Sequence, residues 1–169
     1  MIKGVLYIMS IEKVKAYFEQ FGREKDILEF ETSSATVELA AEAAHVIPAR
    51  ITKTLAFQSG DSCILIAAAG DTKIDNKKFK AEFSMKAKML SPEETLSLTG
   101  HAIGGVCPFA LPENVKTYAD ISLKRFETVF PAAGSSNSAI ELNCDELFEY
   151  GKCQKWIDVC KGWQETESL

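Results

Sequence analysis

The sequence predicts a single α+β domain built on a mixed sheet. Short apolar runs rich in β-branched residues alternate with segments whose apolar residues recur at helical spacing, along all 169 residues. No internal repeat, low-complexity tract or linker divides the chain. A chain of this length can bury a sizeable core in one domain. Together these observations favour one domain with helices packed around a sheet.

The N-terminal region predicts two helices with a short strand between them. Apolar residues recur at helical spacing from Ile11 to Phe21, and Gly22 follows at the position of a C-cap. Residues 26–30 form a short apolar strand candidate. The hydroxyls of residues 32–34 are candidate N-caps for a second helix over residues 35–44.

Residues 51–57 are predicted to form a strand that places a lysine among apolar side chains. Their alternation puts Lys53 on the same face as isoleucine, leucine and phenylalanine. An ammonium group on such a face either reaches solvent at the sheet edge or meets an anion such as a ligand phosphate. Gly60-Asp61 then forms a turn, and residues 63–69 are expected to return as an antiparallel partner strand.

Residues 76–83 are predicted to form a helix that carries the densest group of basic residues in the chain. Lys77, Lys78 and Lys80 lie on it. They form either a solvated helix face or a contact surface for an RNA backbone.

The rest of the chain continues the alternation of strands and helices. A helix is expected after Ser91, where Pro92 and Glu94 complete a capping box, and Gly100 ends it. Asn143 and Glu146 start another helix that ends at Gly151. The expected strands are residues 86–90, 115–119, 128–132, 139–142 and 156–159, with a helical turn from Asp120 to about Arg125 and a frayed tail at 164–169.

Composition and charge indicate a soluble cytoplasmic protein. The residues are 46% hydrophobic and 25% charged, and the net charge is −5. No global basic field attracts nucleic acid, so DNA is not an expected partner and any RNA contact must be local. Five cysteines without CxxC pairs predict reduced thiols. No signal peptide or membrane span is apparent, so no membrane partner is expected.

Most motifs of catalytic and cofactor sites are missing. The chain has no P-loop, no dinucleotide-binding GxGxxG, no HExxH and no GxSxG. Its only histidines are His45, which lies at a predicted helix end, and His101. A histidine-rich metal centre is therefore not expected, and we predict neither a metal nor another cofactor.

The loop Gly100–Phe109 concentrates three glycines and a proline in ten residues. Such a loop is stiff and exposes peptide groups to a ligand, although an ordinary Gly/Pro connection has the same composition. Gly105 is expected to be an exposed loop position, where a methyl group costs roughly 1 kcal/mol of stability or less. A second interpretation of the loop makes Cys107 a nucleophile with His101 as its base.

Three motifs resemble one known family. They are Arg50-Ile-Thr-Lys-Thr-Leu55, Leu98-Thr-Gly-His-Ala-Ile-Gly-Gly-Val-Cys-Pro-Phe109 and Ala133-Gly-Ser-Ser-Asn-Ser-Ala-Ile-Glu-Leu142. In this order and spacing they are similar to the YbaK/EbsC-type aminoacyl-tRNA deacylases, which are free-standing relatives of the editing domain of bacterial prolyl-tRNA synthetases. The resemblance implies a mostly antiparallel, barrel-like sheet surrounded by helices. It also implies an N-terminal extension at 1–8, an editing domain at 9–163 and a tail at 164–169.

The resemblance also assigns roles to individual residues. Lys53 matches the family lysine that is proposed to hold the terminal phosphate and ribose of the tRNA. Gly105 to Pro108 match a Gly-x-x-Pro loop whose backbone positions the aminoacyl group or the attacking water. The implied catalytic residues are Lys53 and Gly105, and the implied substrate-binding residues are Phe30, Gly104, Val106, Cys107, Pro108, Ser135, Ser136 and Asn137.

The activity implied by the resemblance is trans-editing, the hydrolysis of a wrong amino acid from a tRNA 3′ end without a metal. Mischarged tRNA of the proline class is the expected partner, and prolyl-tRNA synthetase is a second candidate partner. The cysteinyl-specific branch carries an aspartate where this chain has Ala139, so alanyl, seryl and threonyl esters are the open candidates. Two alternatives stay open, a non-catalytic module that binds a tRNA end or a synthetase, and a Cys107-dependent thiol hydrolase.

Overall fold

The computed structural model describes residues 2–163, and side chains from Ser10 onward. Within these residues the α-helices are α1 (Ile2–Glu19), α2 (Val37–Ala44), α3 (Asn76–Phe83), α4 (Pro92–Thr99) and α5 (Cys144–Tyr150). None of the helices in this part of the chain is both long enough and apolar enough to cross a membrane.

The strands vary widely in length, and two long ones form the centre of the fold. They are β1 (Leu28–Glu29), β2 (Ile51–Ser59), β3 (Ser62–Ala69), β4 (Lys73–Ile74), β5 (Lys116–Asp120), β6 (Thr128–Pro131), β7 (Ser138–Ala139), β8 (Leu142–Asn143), β9 (Trp156–Ile157) and β10 (Cys160–Lys161). Short 3-10 turns cover Glu24–Asp26, Pro48–Arg50 and Ile121–Arg125.

A six-stranded mixed sheet in the order β8-β6-β2-β3-β5-β9 forms the body of the domain. β2 and β3 make an antiparallel hairpin from Thr52↔Ala69 to Ser59↔Ser62, as the sequence predicts. β6 runs parallel to β2, and β5 runs parallel to both β3 and β9. The sheet curls into half a barrel with helices around it, so the predicted α+β, mixed-sheet fold is confirmed.

Both faces of the central hairpin are buried, which explains its nearly continuous apolar sequence. On one face Ala67 packs in a cluster with Phe18 of α1. On the other face Phe57 and Ile66 pack against Phe79 of α3, and the Phe57 and Phe79 ring centroids lie 4.9 Å apart. The two clusters hold helices on opposite sides of one sheet.

Helix boundaries follow their local caps. Ser91 and Glu94 form the predicted capping box of α4, and Asn143 and Glu146 form that of α5. The N-cap of α2 is Thr36, whose hydroxyl accepts a hydrogen bond from the Leu39 N–H at 3.1 Å. The prediction that the hydroxyls of residues 32–34 cap this helix is therefore wrong.

Several other predicted boundaries also need correction. Helix α1 begins at Ile2 rather than near Ile11. Its predicted end is confirmed, because Gly22 has a φ of +66° and its N–H donates to Glu19 O, as in a glycine C-terminal cap. Residues 86–90 form no strand but contact β2 through a single Phe57↔Met89 bridge. The predicted strand at 139–142 is two short strands, β7 and β8, and β4 was not predicted. Segments with few pairing partners have the weakest local signal, because pairing across the fold decides them.

Candidate functional site

A cleft of about 280 Å³ follows the edge of β2 that does not face β3. On this edge β6 pairs with β2 only at Ile51 and Thr52. Residues 88–90 contact the same edge only from Ala56 onward, where the Leu90 N–H donates to Ala56 O at 3.1 Å. Among the described residues no strand pairs with the stretch 53–55 here. The cleft therefore opens at a gap in the sheet.

The gap presents main-chain groups of Thr54. Ala56 O and Gln58 N both bond to the segment 88–90. Alternate residues of a strand direct their N–H and C=O to the same edge, so the peptide groups of Thr54 face the cleft side as well. The Oγ1 atoms of Thr52 and Thr54 are buried and have no hydrogen-bond partner within residues 2–163. An open donor and acceptor at a cleft can bind the polar groups of a substrate.

The loop that follows α4 also forms part of the cleft wall. Gly104 and Val106 line the cleft. Gly104 has a φ of +93°, and a Cβ there would lie 3.1 Å from Ala35 Cβ. Gly105 is buried, and a Cβ on it would lie 2.9 Å from the backbone of Ser135. The expectation that Gly105 is an exposed loop position is therefore wrong, and the glycines of this loop with positive φ are Gly100 and Gly104.

Lys53 lies at the gap and lines the cleft. It shares a sheet face with Leu55 and Phe57, so the predicted placement among apolar side chains is confirmed. Its Nζ donates to the carbonyl of Thr72, in the turn after β3. Burial lowers the pKa of Lys53, and Asp71 is among the nearby acidic groups that oppose this shift. The ammonium is half-buried, and such a group interacts more strongly with an anion than a fully solvated one does.

The third motif contributes Ser138 and Ala139 to the cleft lining and is hydrogen-bonded to a neighbouring segment. Ser135 Oγ donates to Ser138 Oγ at 2.6 Å, and Asn137 Nδ2 donates to Phe30 O at 3.0 Å. The Ser34 N–H donates to Ser136 O at 2.6 Å, and Ser34 itself lines the cleft. Hydrogen bonds thus join the motif to residues 30–34. The predicted substrate-binding residues Phe30, Ser135, Ser136 and Asn137 are not among the residues that line the cleft.

Cys107 and His101 do meet, which the sequence alone does not establish. Cys107 Sγ lies 3.6 Å from His101 Nε2, and both side chains are at most 1% exposed. Burial raises the pKa of the Cys107 thiol to about 12, so at neutral pH it is a protonated thiol closed off from solvent. The interpretation of Cys107 as a nucleophile is not supported. Pro108 lines a different cavity, beside Tyr17.

Sequence reasoning missed the apolar rim and the α2 wall of the cleft. Met89 and Ile103 line it and are 60% and 57% exposed. Residues 35–37, before and at the start of α2, form part of the wall. Ile103 could have been recognised from the sequence, because it is a large apolar residue within a glycine-rich loop. The described residues contain no cluster of three or more His, Cys, Asp or Glu side chains able to hold a metal.

This fold recurs in solved structures, and related sequences are known. A structure described as a candidate trans-editing enzyme for prolyl tRNA synthetase superposes with a TM-score of 0.81 at 27% identity, covering 90% of this chain and 98% of that one. The model of the aminoacyl-tRNA editing domain matches residues 31–150, and the chain belongs to that family.

The chain is also similar in sequence to two relatives. It is 59% identical over 157 residues to Uncharacterized protein YwhH of Bacillus subtilis, covering 92% of this chain and all of that protein. It is 25% identical over 158 residues to a proline–tRNA ligase of Thermotoga maritima. That match covers 90% of this chain but only 27% of the ligase, so the chain corresponds to about a quarter of the ligase's length.

Proposed function

We propose that this chain is a trans-editing hydrolase that cleaves the ester between a wrong amino acid and the 3′ end of a tRNA, most readily a tRNA of the proline class. The observation that carries the proposal is the gap at residues 53–55, where a half-buried lysine and open peptide groups face the loop at Gly104 across one cleft. The family match and the proline–tRNA ligase relative support it. The proposed editing domain spans residues 9–163.

In the proposed reaction a water attacks the ester carbonyl, the C–O bond to the ribose breaks, and the ribose oxygen leaves with a proton. The products are the free amino acid and the uncharged tRNA. Lys53 binds the terminal phosphate, and peptide groups of residues 104–106 orient the carbonyl and the water. An aminoacyl ester is already activated, so positioning and main-chain dipoles supply the rate enhancement.

The cleft wall bears on the amino acid that is removed. Alanine side chains at positions 40, 56, 132 and 139 line the cleft. A small apolar wall suits a small side chain, which keeps alanyl, seryl and threonyl esters as the proposed substrates. Position 139 carries no carboxylate to recognise a polar side chain by charge.

The proposed setting is cytoplasmic translation, with the acceptor end of mischarged tRNA as the partner and prolyl-tRNA synthetase as a second partner. No cofactor is proposed. In the proposed reaction, Lys53 and the peptide groups of residues 104–106 bind and position the substrate, and no metal takes part.

The test is deacylation of purified mischarged tRNAs by the purified chain. A panel that crosses alanyl, seryl, threonyl, cysteinyl and prolyl esters with proline-class and other tRNAs should show hydrolysis of one or more small non-prolyl esters on tRNA of the proline class. Activity should persist after treatment with EDTA. Loss of activity on chelation contradicts the metal-free route, and hydrolysis confined to another tRNA contradicts the proline class.

The second candidate is a non-catalytic module that binds a tRNA end. It is kept because backbone groups able to position a substrate are equally able to bind one without reaction. Tight binding of tRNA with no hydrolysis of any ester in the panel would favour it.

A further inference from the structure

A second cavity, of about 380 Å³, lies on α3 and the segment that follows it. Its lining is Asn76, Lys77, Lys80, Lys86 and Ala87, and all three lysines are exposed. None of the three pairs with a carboxylate within 4 Å in the part of the chain that the structure describes. In a chain of net charge −5 this is a local concentration of positive charge with no protein partner.

Three acidic groups on or next to α3 are already engaged. Glu82 pairs with Lys155 at 2.8 Å, and Asp158 pairs with Lys78 at 3.0 Å. The Asp75 carboxylate caps α3 by accepting from the N–H groups of residues 77 and 78. These contacts leave the charge of the lysine cavity largely uncompensated, which favours an anionic ligand.

The short segment 86–89 contributes both to the lysine cavity and to the rim of the cleft. Lys86 in the cavity and Met89 at the rim are three positions apart, a span of at most roughly 10 Å in an extended chain. Lys88 lies between them, held where its carbonyl accepts from the Gln58 N–H. Glu94 is an acidic neighbour of Lys88. The pKa of Glu94 is lowered chiefly by the Ser91 N–H, which donates to its carboxylate, and to a lesser degree by the charge of Lys88. The three cavity lysines and Lys88 are therefore the positive charges along this segment.

We propose that the lysine cavity, formed by Lys77, Lys80 and Lys86, binds the phosphate backbone of the acceptor stem while the cleft holds the aminoacylated 3′ end. The inference rests on the proposed function. A span of roughly 10 Å equals about three stacked nucleotides, so one strand reaches from the rim to the cavity within a few phosphates. Lysines act there as point charges that position the strand without reading its sequence.

The experiment compares two triple variants with the wild-type chain. Lys77→Gln, Lys80→Gln and Lys86→Gln together remove the cavity charges. Lys13→Gln, Lys25→Gln and Lys116→Gln remove the same charge at exposed lysines outside the cavity and form the matched control. Thermal melting of both triples checks that the fold is kept.

The first readout is the Kd for uncharged full-length tRNA, measured by fluorescence anisotropy over a series of salt concentrations. The cavity triple should bind about tenfold or more weakly at low salt. The slope of log Kd against log salt should fall by roughly 2, since each lost phosphate contact removes about 0.7 to 0.9 from it. The control triple should stay within about twofold of wild type. Equal weakening in both triples, or wild-type binding by the cavity triple, overturns the inference.

The second readout separates this inference from the proposed function. Single-turnover hydrolysis of an aminoacyl-adenosine, which is too short to reach the cavity, should be unchanged in the cavity triple. Hydrolysis of the full mischarged tRNA should be slowed at subsaturating enzyme. If no ester is hydrolysed by any variant but the difference in tRNA binding persists, the proposed hydrolysis fails and the binding surface stands. An equal loss of rate on the short and long substrates assigns the lysines to the cleft and contradicts the inference.

Discussion

At the scale of single residues, Lys53 combines features that usually exclude each other. It lies on an apolar sheet face, is half-buried, and donates to a backbone carbonyl rather than to a carboxylate. A lysine is costly to bury and adds little to packing, so its presence here favours a role in binding an anion.

Lys53→Ala should slow deacylation about 10- to 100-fold while the melting temperature changes little. The reason is the loss of one charge-assisted phosphate contact, worth on the order of 1.5 to 3 kcal/mol. Single-turnover kinetics beside thermal melting measure both effects. Lys73→Ala, an exposed lysine on β4, is the matched control and should keep the wild-type rate. A folded Lys53→Ala variant with full activity would end the assignment.

Gly105→Ala should lower both stability and activity, because the added methyl meets the Ser135 backbone at 2.9 Å. Overpacking of this kind costs roughly 1 to 3 kcal/mol. The displaced loop should also misplace the reacting carbonyl. Urea unfolding and single-turnover deacylation measure the two losses. Gly100→Ala, with φ +81° and nothing within 4 Å, adds only backbone strain and should keep its activity. Equal activity loss in the two variants would remove the special role of Gly105.

His101 should make the stability of the protein depend on pH. Its Nδ1 lies 2.5 Å from Ser10 Oγ and its Nε2 lies 2.8 Å from Phe109 O, and burial lowers its pKa below the ordinary value of 6.5. As the pH falls, His101 is therefore protonated in the unfolded chain before it is protonated in the folded chain. Stability should be full above about pH 6.5 and should fall as the pH drops below it.

The measurement for His101 is urea unfolding between pH 7.5 and 5.5, which remains above the range where most carboxylates titrate. His101→Gln keeps a donor for Phe109 O and should flatten the decline towards low pH. His45→Gln leaves the buried His101 imidazole in place, so this variant should show the same decline in stability at low pH as the wild-type chain. An unchanged slope in His101→Gln would show that other groups cause the decline.

At the scale of elements, α2 forms one wall of the cleft and depends on a single cap. Thr36 Oγ1 accepts from the Leu39 N–H, and Ala35 beside it packs against Gly104. The start of a short helix thus contacts the loop at Gly104 directly. A change in the cap should reach the cleft through that contact.

Thr36→Ala should cost about 1 kcal/mol of stability, because it leaves the first turn of α2 without its side-chain acceptor. It should also raise KM more than it lowers kcat, since the wall loosens while the reacting groups remain. Thr36→Ser keeps the hydroxyl and should restore both values. Denaturant unfolding and steady-state deacylation test this, and an effect of equal size in both variants would show that the methyl group, rather than the cap, matters.

At the scale of the whole molecule, the C-terminal strands close the second core. β10 pairs with β4 through Cys160↔Ile74, and Trp163 is 5% exposed in the cluster that includes Phe57 and Phe79. Residues 164–169 lie outside the described part of the chain. Trp163 is therefore the last described residue that adds to the core.

A chain cut after Trp163 should melt within about 2 °C of the full chain, and one cut after Val159 should melt roughly 10 °C lower or fail to fold. Loss of a buried tryptophan alone costs about 3 to 5 kcal/mol, and each kcal/mol lowers the melting temperature of a domain of this size by about 2 to 4 °C. Calorimetry measures both chains. A large loss on removing only residues 164–169 would move the proposed domain boundary.

Sequence alone determined those features whose cause is local in the chain. The capping boxes at Ser91 and Asn143 and the hairpin of β2 and β3 are encoded within a few residues, and all three are confirmed. The three motifs also identified the family, because each is a short run of residues.

Only the tertiary structure decided how those motifs meet. The gap on the β2 edge exists because β6 pairs with β2 only as far as Thr52, and the hydrogen bonds to residues 88–90 begin only at Ala56. The burial of Gly105 and Cys107 depends on packing against elements far away in sequence. Periodicity reports which face of a segment is apolar, but not which other segment covers it. The cleft, its rim and the lysine cavity beside it therefore became apparent only when the chain was seen folded.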